Sequence, residues 1–226
     1  MPGRLEPFIN NYTYHVFNKT LNSQRIFDDY NCETFLTAVG YYRSSKARVS
    51  LSHFKRMPPN FQQELLNITS QSKFFRIEIL AYCLMPTHYH FLLRQKQTSG
   101  IPKFMADLGN SFTKYHNIKN GKNGPLFIPR FKAERVVTEA QLKHVCRYIY
   151  LNPYSGKLVP YIAELENYKW SSFKEYLYKD KLFLSNPELV MKLFGNDPVR
   201  FKKFVFDQAD YQKSFEYIKY AEKWLR

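Results

Sequence analysis

Phe74-Phe75-Arg76-Ile77-Glu78-Ile79-Leu80-Ala81-Tyr82-Cys83-Leu84, then Met85-Pro86-Thr87, then His88-Tyr89-His90-Phe91-Leu92-Leu93-Arg94, is the stretch that decides the fold. The first run is strongly apolar and reads as a strand. The tripeptide reads as a turn, because proline disfavours helix at its predecessor and has no N–H for a ladder. The last run reads as the returning strand of a hairpin. Side chains two apart on a strand share a face. His88 and His90 therefore point one way and can share a metal ion, while Tyr89, Phe91 and Leu93 point the other way into the core. Neutral imidazole is a common metal ligand, but two of them still need a third side chain and open positions for substrate. On spacing alone the pair also fits two half-exposed histidines on an edge strand.

Outward from the hairpin, Tyr12 to Asn18 alternates aromatic and β-branched residues and reads as a first strand. Residues 31–45 read as a helix with Phe35, Val39 and Tyr42 on one face, entered through Asp28-Asp29-Tyr30-Asn31. Residues 47–73, with Met57-Pro58-Pro59-Asn60 and a short helical piece from Phe61 to Leu66, read as an insertion. Residues 99–118 follow as an amphipathic helix opened by Ser99, with Phe104, Leu108, Phe112 and Tyr115 on its apolar face. Asn120 to Pro125 breaks it. Phe131 to Val137 reads as a last strand, and Glu139 to Leu151 as a helix stopped by Asn152-Pro153. Strand, helix, hairpin, helix, strand specify an α+β class, a ferredoxin-like antiparallel sheet with helices on one face. Residues 1–156 form the main domain, and residues 157–226 a helical C-terminal extension with Trp170, Phe173 and Tyr176 as core.

The chain of 226 residues is 44% hydrophobic, enough for a real core and too apolar for disorder. Its 18 tyrosines and 20 phenylalanines supply core volume and also faces on which bases stack. No run is long and apolar enough for a membrane span, and Met1 to Asn11 lacks a signal-peptide core. Cys32, Cys83 and Cys146 are scattered and odd in number, which reads as reduced, buried thiols of a cytoplasmic protein. The net charge is +15, and it is densest between residues 101 and 135, where seven basic residues face two acidic ones. A polyanion is the partner this implies, and nucleic acid fits better than a membrane because no lipid-binding amphipathic stretch accompanies the charge.

Within that basic segment Tyr115 is a candidate nucleophile. A phenol attacks a phosphodiester when it is positioned and a metal polarises the phosphate oxygens. Its place on an apolar helix face equally suits core packing. Lys114, Lys119, Lys122, Arg130, Lys132 and Arg135 are candidates for backbone phosphates or a solvated surface. His53, His116 and His144 have no partner pattern and read as surface or core residues, with a phosphate contact open to His116. His15 on the first strand reads as structural or DNA-contacting.

Tyr82-Cys83-Leu84-Met85-Pro86-Thr87-His88-Tyr89-His90-Phe91-Leu92-Leu93 is similar to the signature of the HUH single-tyrosine transposases, the IS200-like family. Ser111 to Asn117 and Gly124 to Lys132 resemble that family's nucleophile helix and following loop. Arg147-Tyr148-Ile149-Tyr150-Leu151-Asn152-Pro153 and Tyr168-Lys169-Trp170-Ser171-Ser172-Phe173 resemble its longer branch, the REP-associated tyrosine transposases. The resemblance implies metal-dependent cleavage and rejoining of single-stranded DNA, beside a small hairpin, through a 5′-phosphotyrosine on Tyr115. It implies Mg²⁺ or Mn²⁺ on His88 and His90, a cytoplasmic, nucleoid-associated protein, and a monomer or homodimer. Short family members complete the metal site with a glutamine one helical turn after the nucleophile. After Tyr115 that position is Lys119, which cannot ligate while protonated; Asn120, His116, an acidic residue or water are the alternatives. Two rival readings stand beside this one: a domesticated hairpin-binding protein with weak catalysis, and a nuclease whose nucleophile is water.

Overall fold

The computed structural model describes residues 7–178, 184–207 and 209–212. Its elements run β1 (Thr13–Lys19), α1 (Asp29–Tyr42), α2 (Leu51–Phe54), α3 (Pro59–Thr69), β2 (Ile77–Met85), β3 (His88–Gln95), α4 (Gly100–Asn120), β4 (Lys132–Val136), α5 (Glu139–Ser155), α6 (Phe173–Leu177), α7 (Glu188–Met191) and α8 (Pro198–Phe206). The four strands form one antiparallel sheet in the order β2-β3-β1-β4. Two central strands, with the hairpin at one side and the last strand at the other, are the ferredoxin-like arrangement that the order of elements requires.

Local chemistry explains the element ends. Asp28 caps α1, its Oδ1 accepting from the Asn31 N–H at 2.7 Å. The insertion folds as α2 and α3, joined through Met57 and Pro58. β2 begins at Ile77 rather than Phe74, because Phe74 and Phe75 are held by the loop after α1. The Phe74 carbonyl accepts from both the backbone and the hydroxyl of Ser45, and the Arg43 guanidinium lies 4.0 Å over the Phe75 ring. Ser99 does not cap α4. It sits at φ 57° without a side-chain bond, and Gln95 at the end of β3 takes the role, its Oε1 accepting from Ile101 N–H at 3.2 Å. α5 does not stop at Asn152-Pro153 but runs on to Ser155. A proline in the last turn removes one bond only, and Gly156 N–H to Asn152 O and Leu158 N–H to Pro153 O close the end.

The chain divides into two compact units. The first holds residues 1–78, 86–88 and 93–135. Its helices α1 and α4 pack through aromatic rings: Phe112 meets Phe35 of α1 edge-on at 5.0 Å and stacks on Phe27, just before α1, at 5.7 Å. The second holds residues 79–85, 89–92 and 136–226. α5 falls here because Cys146, Ile149 and Tyr150 share a core with Leu92, Phe173, Tyr176 and Phe201. The same unit covers the outer edge of β2. Ser172 N–H donates to Tyr82 O, Leu84 N–H to Trp170 O, and Asn186 N–H to Ile79 O, so a strand edge that would otherwise template aggregation is paired. Residues 213–226 of the anticipated extension lie outside the described residues. Cys32, Cys83 and Cys146 are buried thiols outside any disulfide. Among the described residues no helix is long and apolar enough to cross a membrane.

Candidate active site

In the second unit, β3 and α5 bring two sequence-distant rings together. His90 is buried, and its ring meets that of Tyr148 edge-on, 5.5 Å between centroids and 88° between planes. Tyr148 lies on α5, whose start is fixed by a capping box of Thr138 and Gln141. One turn on, Asn152 is buried and donates from Nδ2 to the Tyr148 carbonyl at 2.7 Å. Among the described residues its Oδ1 accepts no hydrogen bond, so a neutral oxygen ligand is left unengaged. Gln212 donates to the same carbonyl at 3.2 Å. The helix is held from behind: the fully buried Tyr150 hydroxyl bonds to Ser172 Oγ at 3.0 Å. Tyr148 therefore projects half-buried from a rigid element beside an imidazole, a sound basis for chemistry that needs fixed geometry.

His88 precedes His90 by two residues on β3 and is counted with the first unit. It is half-buried, and its Nδ1 lies 2.9 Å from Thr87 Oγ1. Burial, with the charge of Lys19 acting the same way, pushes its pKa down to about 4, so the ring is neutral at pH 7. In the tautomer whose Nδ1–H donates to the threonine, Nε2 carries the lone pair that can ligate.

Tyr115 lies on α4, in the first unit. Its hydroxyl donates to Asn31 Oδ1 at 3.2 Å, and its ring contacts are with Tyr30 on α1 and with Phe112 and Lys119 of its own helix. Lys119 also bonds to Asn31 Oδ1, at 3.4 Å. His116 is a buried histidine beside Phe112, its pKa lowered by burial and by Lys122 and Lys119. His15 is buried next to Phe17, and burial pushes its pKa down to about 4. His144 Nδ1 sits 2.6 Å from Arg147, and His53 is exposed at the end of α2. Lys114, Lys119, Lys122, Arg130, Lys132 and Arg135 are all exposed, within the first unit.

The contact of Tyr148 with His90, and the carboxamide of Asn152 one turn on, are features that the spacing of two on β3 does not reveal. The signal was present as a carboxamide one turn after a tyrosine, which Tyr115 lacks and Tyr148 has.

No curated protein matches the chain by sequence. Among solved structures, the chain is similar to a REP-associated tyrosine transposase bound to a REP hairpin, at 16% identity and a TM-score of 0.50, over 77% of this chain and 84% of that one. It is also similar to a protein described as a transposase from Deinococcus radiodurans R1, at 17% identity and a TM-score of 0.36, over 66% and 95%. The first likeness shows a shared α+β fold. The model of the IS200-like transposases matches residues 53–152. That span carries the hairpin, both histidines, Tyr148 and Asn152, and over it the chain is similar to the IS200-like transposases.

Proposed function

We propose that this chain cuts and rejoins single-stranded DNA through a covalent link to Tyr148, with His88 and His90 holding Mg²⁺ or Mn²⁺. The observation that carries the reading is the buried His90 ring set edge-on against Tyr148. The Tyr148 Oη attacks a phosphorus atom, the bond from phosphorus to the 3′-oxygen breaks, and the product is a 5′-phosphotyrosine with a free 3′-hydroxyl. The phenolic proton passes to water, and the departing oxygen takes one up. Attack by a 3′-hydroxyl on the phosphotyrosine runs the step backwards and restores both the diester and the phenol, so no nucleotide hydrolysis is required.

The residues present suit a divalent ion. His88 is neutral, and Asn152 supplies an unengaged oxygen where short relatives have a glutamine. Among the described residues no group of three His, Cys, Asp or Glu side chains could hold a metal, so a carboxamide or water has to complete the set. A bound ion would polarise the non-bridging phosphate oxygens. Oxygen from Asn152 beside two imidazoles suits Mn²⁺ better than Mg²⁺, which prefers an all-oxygen shell.

The DNA partner is a single strand with a hairpin. The hairpin-bound structural relative and the net charge of +15 both support it. Labelled hairpin DNA is incubated with Mn²⁺ or Mg²⁺ and resolved on a denaturing gel, using wild type, Tyr148→Phe and Tyr115→Phe. The expected result is a covalent adduct in wild type and Tyr115→Phe and none in Tyr148→Phe. Loss in Tyr115→Phe alone returns the nucleophile to α4. Cleavage surviving both changes points to water as the nucleophile, and salt-sensitive binding without cleavage points to a binding protein.

A further inference from the structure

A cavity of about 320 Å³ opens in the first unit between α1, the α2 turn of the insertion and α4. Its size falls in the range of small-ligand sites, roughly 300–1,000 Å³. Ala38, Leu51 and Phe112 are buried and give it an apolar floor. Lys55, Lys114 and Lys119 are exposed around it, and no acidic residue lines it. Lysines in such places lay their methylenes along the wall and keep the ammonium in water. Hydroxyls of Thr34, Ser50, Ser52 and Ser111 supply donors and acceptors at intervals.

One end of the cavity is braced. Asn31 Oδ1 accepts from both the Tyr115 hydroxyl and the Lys119 ammonium, at 3.2 and 3.4 Å. Asn31 is fixed in turn, donating from Nδ2 to Ile26 O at 2.7 Å. Lys119 also lies 4.4 Å over the ring of Tyr30, which is 61% exposed. A buried asparagine, two lysine-associated tyrosines and an apolar hollow are more structure than a helix face needs for packing alone.

Resting on the reading that the chain handles single-stranded DNA, we infer that this cavity receives one unstacked base of the bound strand. The chemistry matches part by part. A base offers an apolar face for Phe112 and Leu51 and polar edges for the hydroxyls, and its flanking phosphates meet the three ammoniums. Tyr115 thereby gains a role as a wall of the base pocket.

The test uses full-length protein and a twelve-residue oligothymidine carrying 4-thiothymidine, photo-crosslinked and mapped by mass spectrometry. The expected result is crosslinks to residues 50–55 and 111–119, reduced at least fivefold in Thr34→Phe, which fills the cavity. Thermal melting confirms that this variant is folded; should it not be, Lys55→Glu replaces it, with the same expected loss. Crosslinks confined to other segments, or unchanged in the variants, overturn the inference. So does protection of the pocket by thymidine monophosphate at concentrations where the oligonucleotide gives none, since that marks a free-nucleotide site. The Tyr148 adduct is scored on the same samples with hairpin DNA. Pocket crosslinks without an adduct defeat the strand-transfer chemistry and leave the pocket standing; an adduct without pocket crosslinks does the reverse.

Discussion

His15 shows how much one buried side chain can weigh. Its folded pKa is about 4, pushed down by burial from an ordinary value of 6.5. Between those values the unfolded chain holds a proton that the folded chain refuses, so acid favours unfolding. The folded state keeps its full stability above pH 6.5 and loses it as pH falls toward 4. At 1.36 kcal/mol per pH unit the loss approaches about 3 kcal/mol from this residue. Urea unfolding of wild type and His15→Phe at pH 7 and pH 4.5 measures it. The wild type is expected to lose roughly 2–3 kcal/mol more than the variant on acidification; equal losses would mean that His15 is protonated in the folded protein. His88 falls in the same window. Both residues were visible in the sequence as histidines on strands. Their neutrality was not, because it depends on what covers them, and nothing in a spacing of two encodes burial.

At the scale of elements, α4 depends on one position that can only be glycine. A Cβ on Gly100 would lie 2.3 Å from the Arg76 carbonyl oxygen and 3.0 Å from its carbon. The obstacle is backbone, so it cannot swing aside. Arg76 is tied down further by its ion pair with Asp107 on the same helix and by the bond from its N–H to Arg43 O. Gly100→Ala is expected to destabilise the protein by about 2–3 kcal/mol, through displacement of the start of α4. A shift in urea midpoint with an unchanged slope would check this, and an unshifted midpoint would refute it. Element by element, the sequence pattern was a reliable guide to α4, whose buried residues recur at helical spacing, and to β1 and the hairpin, whose apolar runs are short and buried on both faces. It erred where a neighbour decides the outcome. Phe74 and Phe75 look like strand but are claimed by Ser45 and Arg43. Pro153 looks like a stop but falls where α5 is already ending. The two candidate nucleophiles differ for a related reason. Tyr115 and Tyr148 both sit on amphipathic helices, and only the pairing of β3 with α5 shows which of them meets a histidine.

For the whole molecule, the charge of +15 matters less than its division. In the second unit several basic side chains are already paired or stacked. Lys192 meets Glu188 at 2.7 Å, Lys202 meets Glu166 at 2.6 Å, and the Arg147 guanidinium lies 4.6 Å from the Phe204 ring centroid. In the first unit Lys122, Arg130 and Lys132 are exposed along the loop after α4 and the start of β4. Phosphate contacts release counterions, and for single strands each one contributes about 0.7 to the slope of log K against log salt. Replacing Lys122, Arg130 and Lys132 together by alanine is therefore expected to flatten that slope by about 2. Lys192→Ala with Lys202→Ala should leave it within about 0.5, since partners in the protein already neutralise those charges. Fluorescence anisotropy of a labelled hairpin oligonucleotide across a salt series reads both variants. An equal flattening from the second pair would mean that the DNA path runs over both units and that exposure alone does not mark it. A slope unmoved by the triple change would remove the loop after α4 from the DNA path. The strand would then have to be guided to Tyr148 by the second unit's own side chains.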